Sequence, residues 1–371
     1  MPAEAPLTLT WARVVRPPDV VDVPQWARAA EAEYGTAEVS PDRTTAEFLY
    51  SQLGLDAKEL CERAAAHAPE GRRFRISRSA TQAELTQQAV LALAEALPLK
   101  DMVARCGLVV CSASSLDSSS VFHSMIGGVT GAVGLSKVPY FSVAQLQGAS
   151  LAGAIDIVDA MLTKPGSGAL FLAVERWPVA FPRYWEPAVP LGDGAVAFWL
   201  TRGEGPGLRY VGGAVRSFDP FVRETPVEVR PIPPIQMPGL PVLQAPAREP
   251  GRAAPTPTFD TEAMLDAATS VLRDFLQEQD VSGKDLSGWV ASGLRPDVDQ
   301  RLRERLGIEA PVIAPPEDDG YWCAAAAPAL LARLVDGAQS PGGLFLSWGM
   351  SYGGSVGTQL WRAVSATEGQ G

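Results

Sequence analysis

The chain has 371 residues, is 46% apolar and 20% charged, and carries a formal net charge of −11. That length allows two domains or one large duplicated fold, and the acidic balance argues against a protein that neutralises nucleic-acid phosphates. No apolar run reaches the roughly 18–20 residues of a membrane helix. The N-terminus lacks the charged head and apolar core of a signal peptide, so a cytoplasmic protein with no membrane partner is expected.

In chain order, LTLTWARVV (7–15) reads as a first strand and PQWARAAEAEYG as a short helix. A helix over 44–66 is expected from Phe48, Leu49, Leu53 and Leu55. Thr81 and Glu84 form a capping box that opens ELTQQAVLALAEAL. GLVVCSA (107–113) is a buried-strand run, followed by the serine-rich loop SSLDSSS and the glycine-rich helix FHSMIGGVTGAVG. VPYFSVA leads through a sharp turn at Gln147 into GASLAGAIDIVDAML, apolar on nearly every side and therefore a buried helix. GALFLAVERW is a buried strand that ends at Glu175, and LGDGAVAFWLTR is a tight turn followed by a strand.

A second half begins near residue 208, giving units 1–207 and 208–371. Eleven prolines from Pro220 to Pro257 exclude regular structure and predict a long extended loop over 220–257. Beyond it, Ala267, Ala268, Val271, Leu272, Phe275 and Leu276 keep helical spacing. Then LSGWVAS (strand), DVDQRLRERLG (helix), APVIA (strand), CAAAAPALLARLV (helix), GLFLSWG and SVGTQLWRAV (strands) complete an α/β pattern in two comparable halves.

Two absences limit the chemistry. Histidine occurs twice, at His67 and His123, and asparagine nowhere. The four cysteines (Cys61, Cys106, Cys111, Cys323) show no CxxC spacing, so buried thiols are expected rather than disulfides, and no metal site.

The landmarks VVCSASSLD, VPYFSVAQLQGAS, FLAVERW, LGDGAVAFWL and FLSWGMSYGGSVG, in that order, resemble the ketoacyl synthase III family of the thiolase fold. The resemblance covers residues 105–371 well and the first hundred poorly. It implies a duplicated α/β/α/β/α layered fold, an acyl-CoA or phosphopantetheine thioester as ligand, no other cofactor, acyl carrier protein as a partner, and a homo- or heterodimer. The family's nucleophilic cysteine falls on Gln147, its histidine on Ser292 or Gly293, and its asparagine on Tyr321 or Trp322. The glycine that donates to the oxyanion falls near Met350. Thiolate attack and enolate stabilisation need those side chains, so a silent or regulatory subunit is implied, with non-condensing acyl transfer or decarboxylation through Gln147 as the alternative.

Each residue has a plainer reading beside the functional one. Gln147 is a polar plug for a vacated pocket, or a hydrogen-bond donor. His123, with Phe122 as an acyl-pocket aromatic, reaches across a dimer interface through segment 118–135, or is a half-exposed interface histidine. His67 suits a helix C-terminus. Glu175 and Asp193 are structural, Asp193 by satisfying backbone donors in its turn. Arg72, Arg73 and Arg75 dock an acidic carrier protein, or are solvated surface.

Overall fold

The computed structural model describes residues 5–35, 57–67, 71–114, 124–144, 146–178, 181, 183–184, 189–223, 258–337 and 339–365. Its strands in chain order are β1 Leu7–Val15, β2 Asp19–Asp22, β3 Arg73–Ile76, β4 Cys106–Ala113, β5 Tyr140–Ala144, β6 Gly168–Glu175 and β7 Gly194–Arg202. They continue as β8 Gly207–Ser217, β9 Val222–Arg223, β10 Thr258–Phe259, β11 Leu286–Val290, β12 Val312–Ile313, β13 Leu344–Met350 and β14 Ser355–Val364. The helices are α1 Val23–Gly35, α2 Ala57–His67, α3 Gln82–Ala94, α4 Leu99–Arg105, α5 Met125–Ala132, α6 Ser150–Met161, α7 Thr261–Glu278, α8 Pro296–Leu306 and α9 Ala326–Asp336.

Ten strands form one sheet in the order β12-β11-β13-β14-β8-β1-β7-β6-β4-β5. The order repeats itself. In the first half β4 runs parallel to β5 and β6, with β7 and β1 antiparallel beyond. In the second half β11 runs parallel to β12 and β13, with β14 and β8 antiparallel beyond. The halves join through a short antiparallel pairing, Thr8 to Arg209 and Leu9 to Leu208.

Period-two alternation explains how one sheet serves two cores. On β6, Ala169, Phe171 and Ala173 join the central core, while Leu170, Leu172 and Val174 join an outer one under α3 and α5. The central core is filled by α6 and α9, one from each half. Helix α6 packs on its own β4 and on β8 and β14 of the other half, and α9 packs on β11 and β13 and also on β1 and β7. Helices sandwiched this way must be apolar all round. Leu151, Ala154, Ile155 and Val158 of α6 are buried, as are Leu330, Leu331 and Leu334 of α9.

The capping box at α3 forms as the sequence implies. Thr81 Oγ1 accepts from the Glu84 N–H (3.2 Å), and Glu84 Oε2 accepts from the Thr81 N–H (2.8 Å). The stretch 44–66 reads as one helix, but only its end is described, as α2; residues 36–56 lie outside the described residues. The proline-rich stretch, expected to hold no regular structure, is described only over 220–223, and there Val222–Arg223 form β9, paired antiparallel with β10; its remainder lies outside the described residues. All four cysteines are free thiols. No helix among the described residues is long and apolar enough to cross a membrane.

The small sheet β2–β3 has no forerunner in the sequence reading. Arg73 and Arg75 are strand residues of β3, paired in register with Asp22 and Val20.

Candidate functional site

In parallel α/β sheets, chemistry collects at the carboxyl ends of the strands, because the turns into the crossover helices gather there. Here those ends meet in the middle of the molecule. They carry Ser114 after β4, Gln147 after β5, Glu175 at the end of β6, Ser292 after β11, Tyr321 and Cys323 after β12, and Met350 at the end of β13.

The turn after β5 is a single 3₁₀ turn, Gln147–Ala149, that runs into α6. Gln147 has φ of +47°, a conformation that a residue with a Cβ adopts only when its surroundings enforce it. The enforcement is visible. A Cβ on Gly148 would lie 2.8 Å from the Tyr321 hydroxyl and 2.9 Å from the Met350 carbonyl oxygen, so only glycine lets this turn seat against β13. Gln147 Oε1 accepts from the Tyr352 N–H at 2.7 Å, and the Gln147 carbonyl accepts from Ser150 Oγ at 2.6 Å.

The second half repeats the device. Cys323–Ala325 is a 3₁₀ turn that runs into α9, and Cys323 has φ of +37°. The two turns pack on each other. Cys323 is therefore the topological counterpart of Gln147.

Tyr321 lies between the groups. Its ring is 3.2 Å from where a Cβ on Gly293 would sit, and its hydroxyl faces Gly148. Gly192 N–H donates to its carbonyl (3.0 Å) and its own N–H donates to Pro190 (2.9 Å). Tyr321 is 1% exposed. Gly293 and Gly320 also line a cleft of about 1010 Å³, with Arg72, Ala291, Leu294 and Ile308 on its walls.

Glu175 is the hub of the first half's contribution. Its Oε1 accepts from Ser114 N–H (2.8 Å), Ser114 Oγ (2.6 Å) and the Ala324 N–H (3.0 Å). Burial is the dominant influence on this carboxyl and pushes its pKa up to about 8. Burial, with the Glu175 charge beside it, pushes the pKa of the Cys323 thiol well up.

Ser292 has a structural partner. Its hydroxyl donates to Asp299 Oδ2 at 3.0 Å and accepts from the Leu294 N–H at 3.2 Å. Asp299 Oδ1 also accepts from the indoles of Trp289 (3.0 Å) and Trp348 (2.8 Å). Burial raises this carboxyl's pKa, against the pull of those donors.

The GDGA turn has a physical explanation. Asp193 accepts from the N–H groups of Ser77 (2.7 Å) and Trp177 (2.9 Å) and from buried Arg183 (2.7 Å). A Cβ on Gly194 would lie 2.4 Å from the Trp322 ring, so the glycine makes room for that indole.

Of the sequence-derived site residues, Gln147, Tyr321 and Met350 come together, with Gly293 touching Tyr321 and Ser292 next to it in the chain. Phe122 and His123 lie outside the described residues, as does the side chain of His67. The arginine cluster divides. Arg75 points inward, donating to Asp319 Oδ1 (3.1 Å), a carboxylate it shares with Arg16, and to the Pro17 carbonyl (3.0 Å). Arg73 faces Asp318 at 3.8 Å, and Arg72 is on the cleft wall. Sequence reading missed Ser114, Cys323 and Asp299. Only the φ-positive turn at Cys323 had a trace, in its matching place at the start of the second half's buried helix. Among the described residues no group of three metal-ligating side chains converges.

No family model and no curated protein matches this sequence. Solved structures do, and they place the chain in the thiolase-like class of condensing-enzyme folds. The 3-oxoacyl-[acyl-carrier-protein] synthase III of Aquifex aeolicus is similar over 96% of this chain and 99% of its own, at 16% identity and a TM-score of 0.65. The tetronic acid condensing enzyme AbyA1 is similar over 96% and 100%, at 17% identity and a TM-score of 0.64. A variant of OleA from Xanthomonas campestris is similar over 96% and 98%, at 17% identity and a TM-score of 0.65. The fold is that of the ketoacyl synthase III-like proteins.

Proposed function

We propose that the chain is a ketoacyl synthase III-like subunit that does not itself condense acyl groups. It handles acyl groups borne as CoA or phosphopantetheine thioesters, in fatty acid or polyketide-type biosynthesis, beside a catalytically complete homologue. The observation that carries this reading is Gln147. It occupies the strained turn at the start of α6, where a nucleophile would gain from the helix N-terminus, and its Oε1 is held by the Tyr352 N–H. An amide so engaged is not acylated, and it plugs the turn. Ser292 is likewise held by Asp299.

Pairing is supported by the sheet edge. β5 pairs on one side only among the described residues, and Tyr140, Phe141 and Ser142 on it are exposed. An open, apolar edge strand is a template for another chain. The test is co-expression with a complete synthase III-type enzyme of the same organism, followed by native mass spectrometry. A heteromer is expected. A chain that stays strictly homomeric beside every such enzyme contradicts the reading.

A further inference from the structure

The cleft of about 1010 Å³ lies at the carboxyl ends of β11 and β12, with Ala291 just after the one and Ala314 just after the other on its walls. Ligands of open α/β sheets bind outside such strand ends. We propose that this cleft binds a free carboxylic acid with an apolar body, its carboxylate held by Arg72 and Arg303. Helix α8 presents one face to the cleft, with Pro296, Asp299, Gln300 and Arg303 at helical spacing. Leu294, Ile308 and Val312 add apolar wall, which suits a hydrocarbon body.

The charges of the lining fix the ligand's polar end. Arg72 and Arg303 enter no ion pair among the described residues. Arg303 donates from Nη2 to the Ala310 carbonyl at 2.7 Å, while its buried Nε has no hydrogen-bond partner. A guanidinium offers five donors in a planar fork, and a carboxylate is the acceptor that matches it. The one buried acid on the lining, Asp299, does not compete for these arginines, because it is occupied by the indoles of Trp289 and Trp348 and by Ser292. The other acids of the lining, Glu304, Glu309 and Glu317, are exposed. Charges in water are screened over about 8 Å, so these glutamates tolerate a single carboxylate seated on the arginines. A polyanion such as CoA brings several negative charges to the same glutamates and is disfavoured.

The cleft's ligand is independent of the function proposed above. The test is isothermal titration calorimetry of the full chain with decanoate, beside decan-1-ol and CoA. Saturable decanoate binding is expected, weakened about tenfold or more in Arg72→Ala and in Arg303→Ala, the factor that a lost charged hydrogen bond carries. Arg303→Ala also gives up the bond to Ala310, so its melting temperature is read alongside. Arg72→Ala removes no ion pair among the described residues and keeps the wild-type melting temperature. Decan-1-ol, with the same body and no charge, should bind about tenfold more weakly than decanoate, and CoA should not displace decanoate. Absence of saturable decanoate binding, equal affinity in Arg72→Ala, or decan-1-ol binding as tightly as decanoate overturns the inference. Displacement of decanoate by CoA overturns it too, and would assign the cleft to the thioester. None of these results bears on heteromer formation, which tests the subunit reading.

Discussion

At the scale of single residues, the site is governed by whether each buried polar group has a partner. Gln147 caps the Tyr352 N–H, so Gln147→Ala leaves that donor unsatisfied and should destabilise the protein by about 1–3 kcal/mol in chemical denaturation. The Tyr321 hydroxyl packs against Gly148, and Tyr321→Phe keeps the ring in place, so stability should stay within about 1 kcal/mol of wild type. Glu175 gives a pH dependence with a definite sign. Its ordinary pKa is 4.5 and in the fold it is about 8. Between those values the folded state keeps a proton that the unfolded chain releases. Its contribution to stability is therefore full below pH 4.5 and is lost as pH rises through 8. In Glu175→Gln the three donors keep an acceptor and the titration is gone. The decline in melting temperature from pH 5 to pH 9 should be smaller in that variant; an equal decline would show that Glu175 is not its source. None of these pairings was legible in the sequence, because Ser114, Glu175 and Ala324 meet from three strand ends far apart in the chain.

At the scale of elements, close approach of backbones sets what the turns tolerate. Gly148 lies where a Cβ would strike both the Tyr321 hydroxyl and the Met350 carbonyl. Gly148→Ala should therefore cost about 1–3 kcal/mol, whereas replacing an exposed glycine with open space around it, such as Gly128, should not. Elements of this kind were legible from pattern. The strands β4 to β8 and β11 to β14 alternate or run apolar as their burial requires, and the Thr81–Glu84 box marks the start of α3 correctly; the short pair β9 and β10 was not legible. The small β2–β3 sheet was not legible, since RFRI reads as a basic patch until Arg75 is seen to meet Asp319. β12 keeps only two residues of the five in APVIA, because just Val312 and Ile313 find partners on β11.

At the scale of the whole molecule, duplication explains the fold. Each half supplies one buried helix opened by one strained turn, and the two turns face each other across the junction. The side chain at either turn can change while the scaffold persists, because α6 and α9 are held by apolar packing on both halves. The same architecture leaves β5 open at the sheet edge. Phe141→Lys places a charge on that exposed strand and should abolish association through it, as read by sedimentation velocity; unchanged association would place the interface elsewhere. The central claim is that this fold does not condense acyl groups at Gln147. It is tested most directly by incubating the protein alone with malonyl and acyl thioesters and following ketoacyl product by mass spectrometry. The account predicts none, from the wild type or from Gln147→Ala. Ketoacyl product that appears with the wild type and disappears in Gln147→Ala would contradict it.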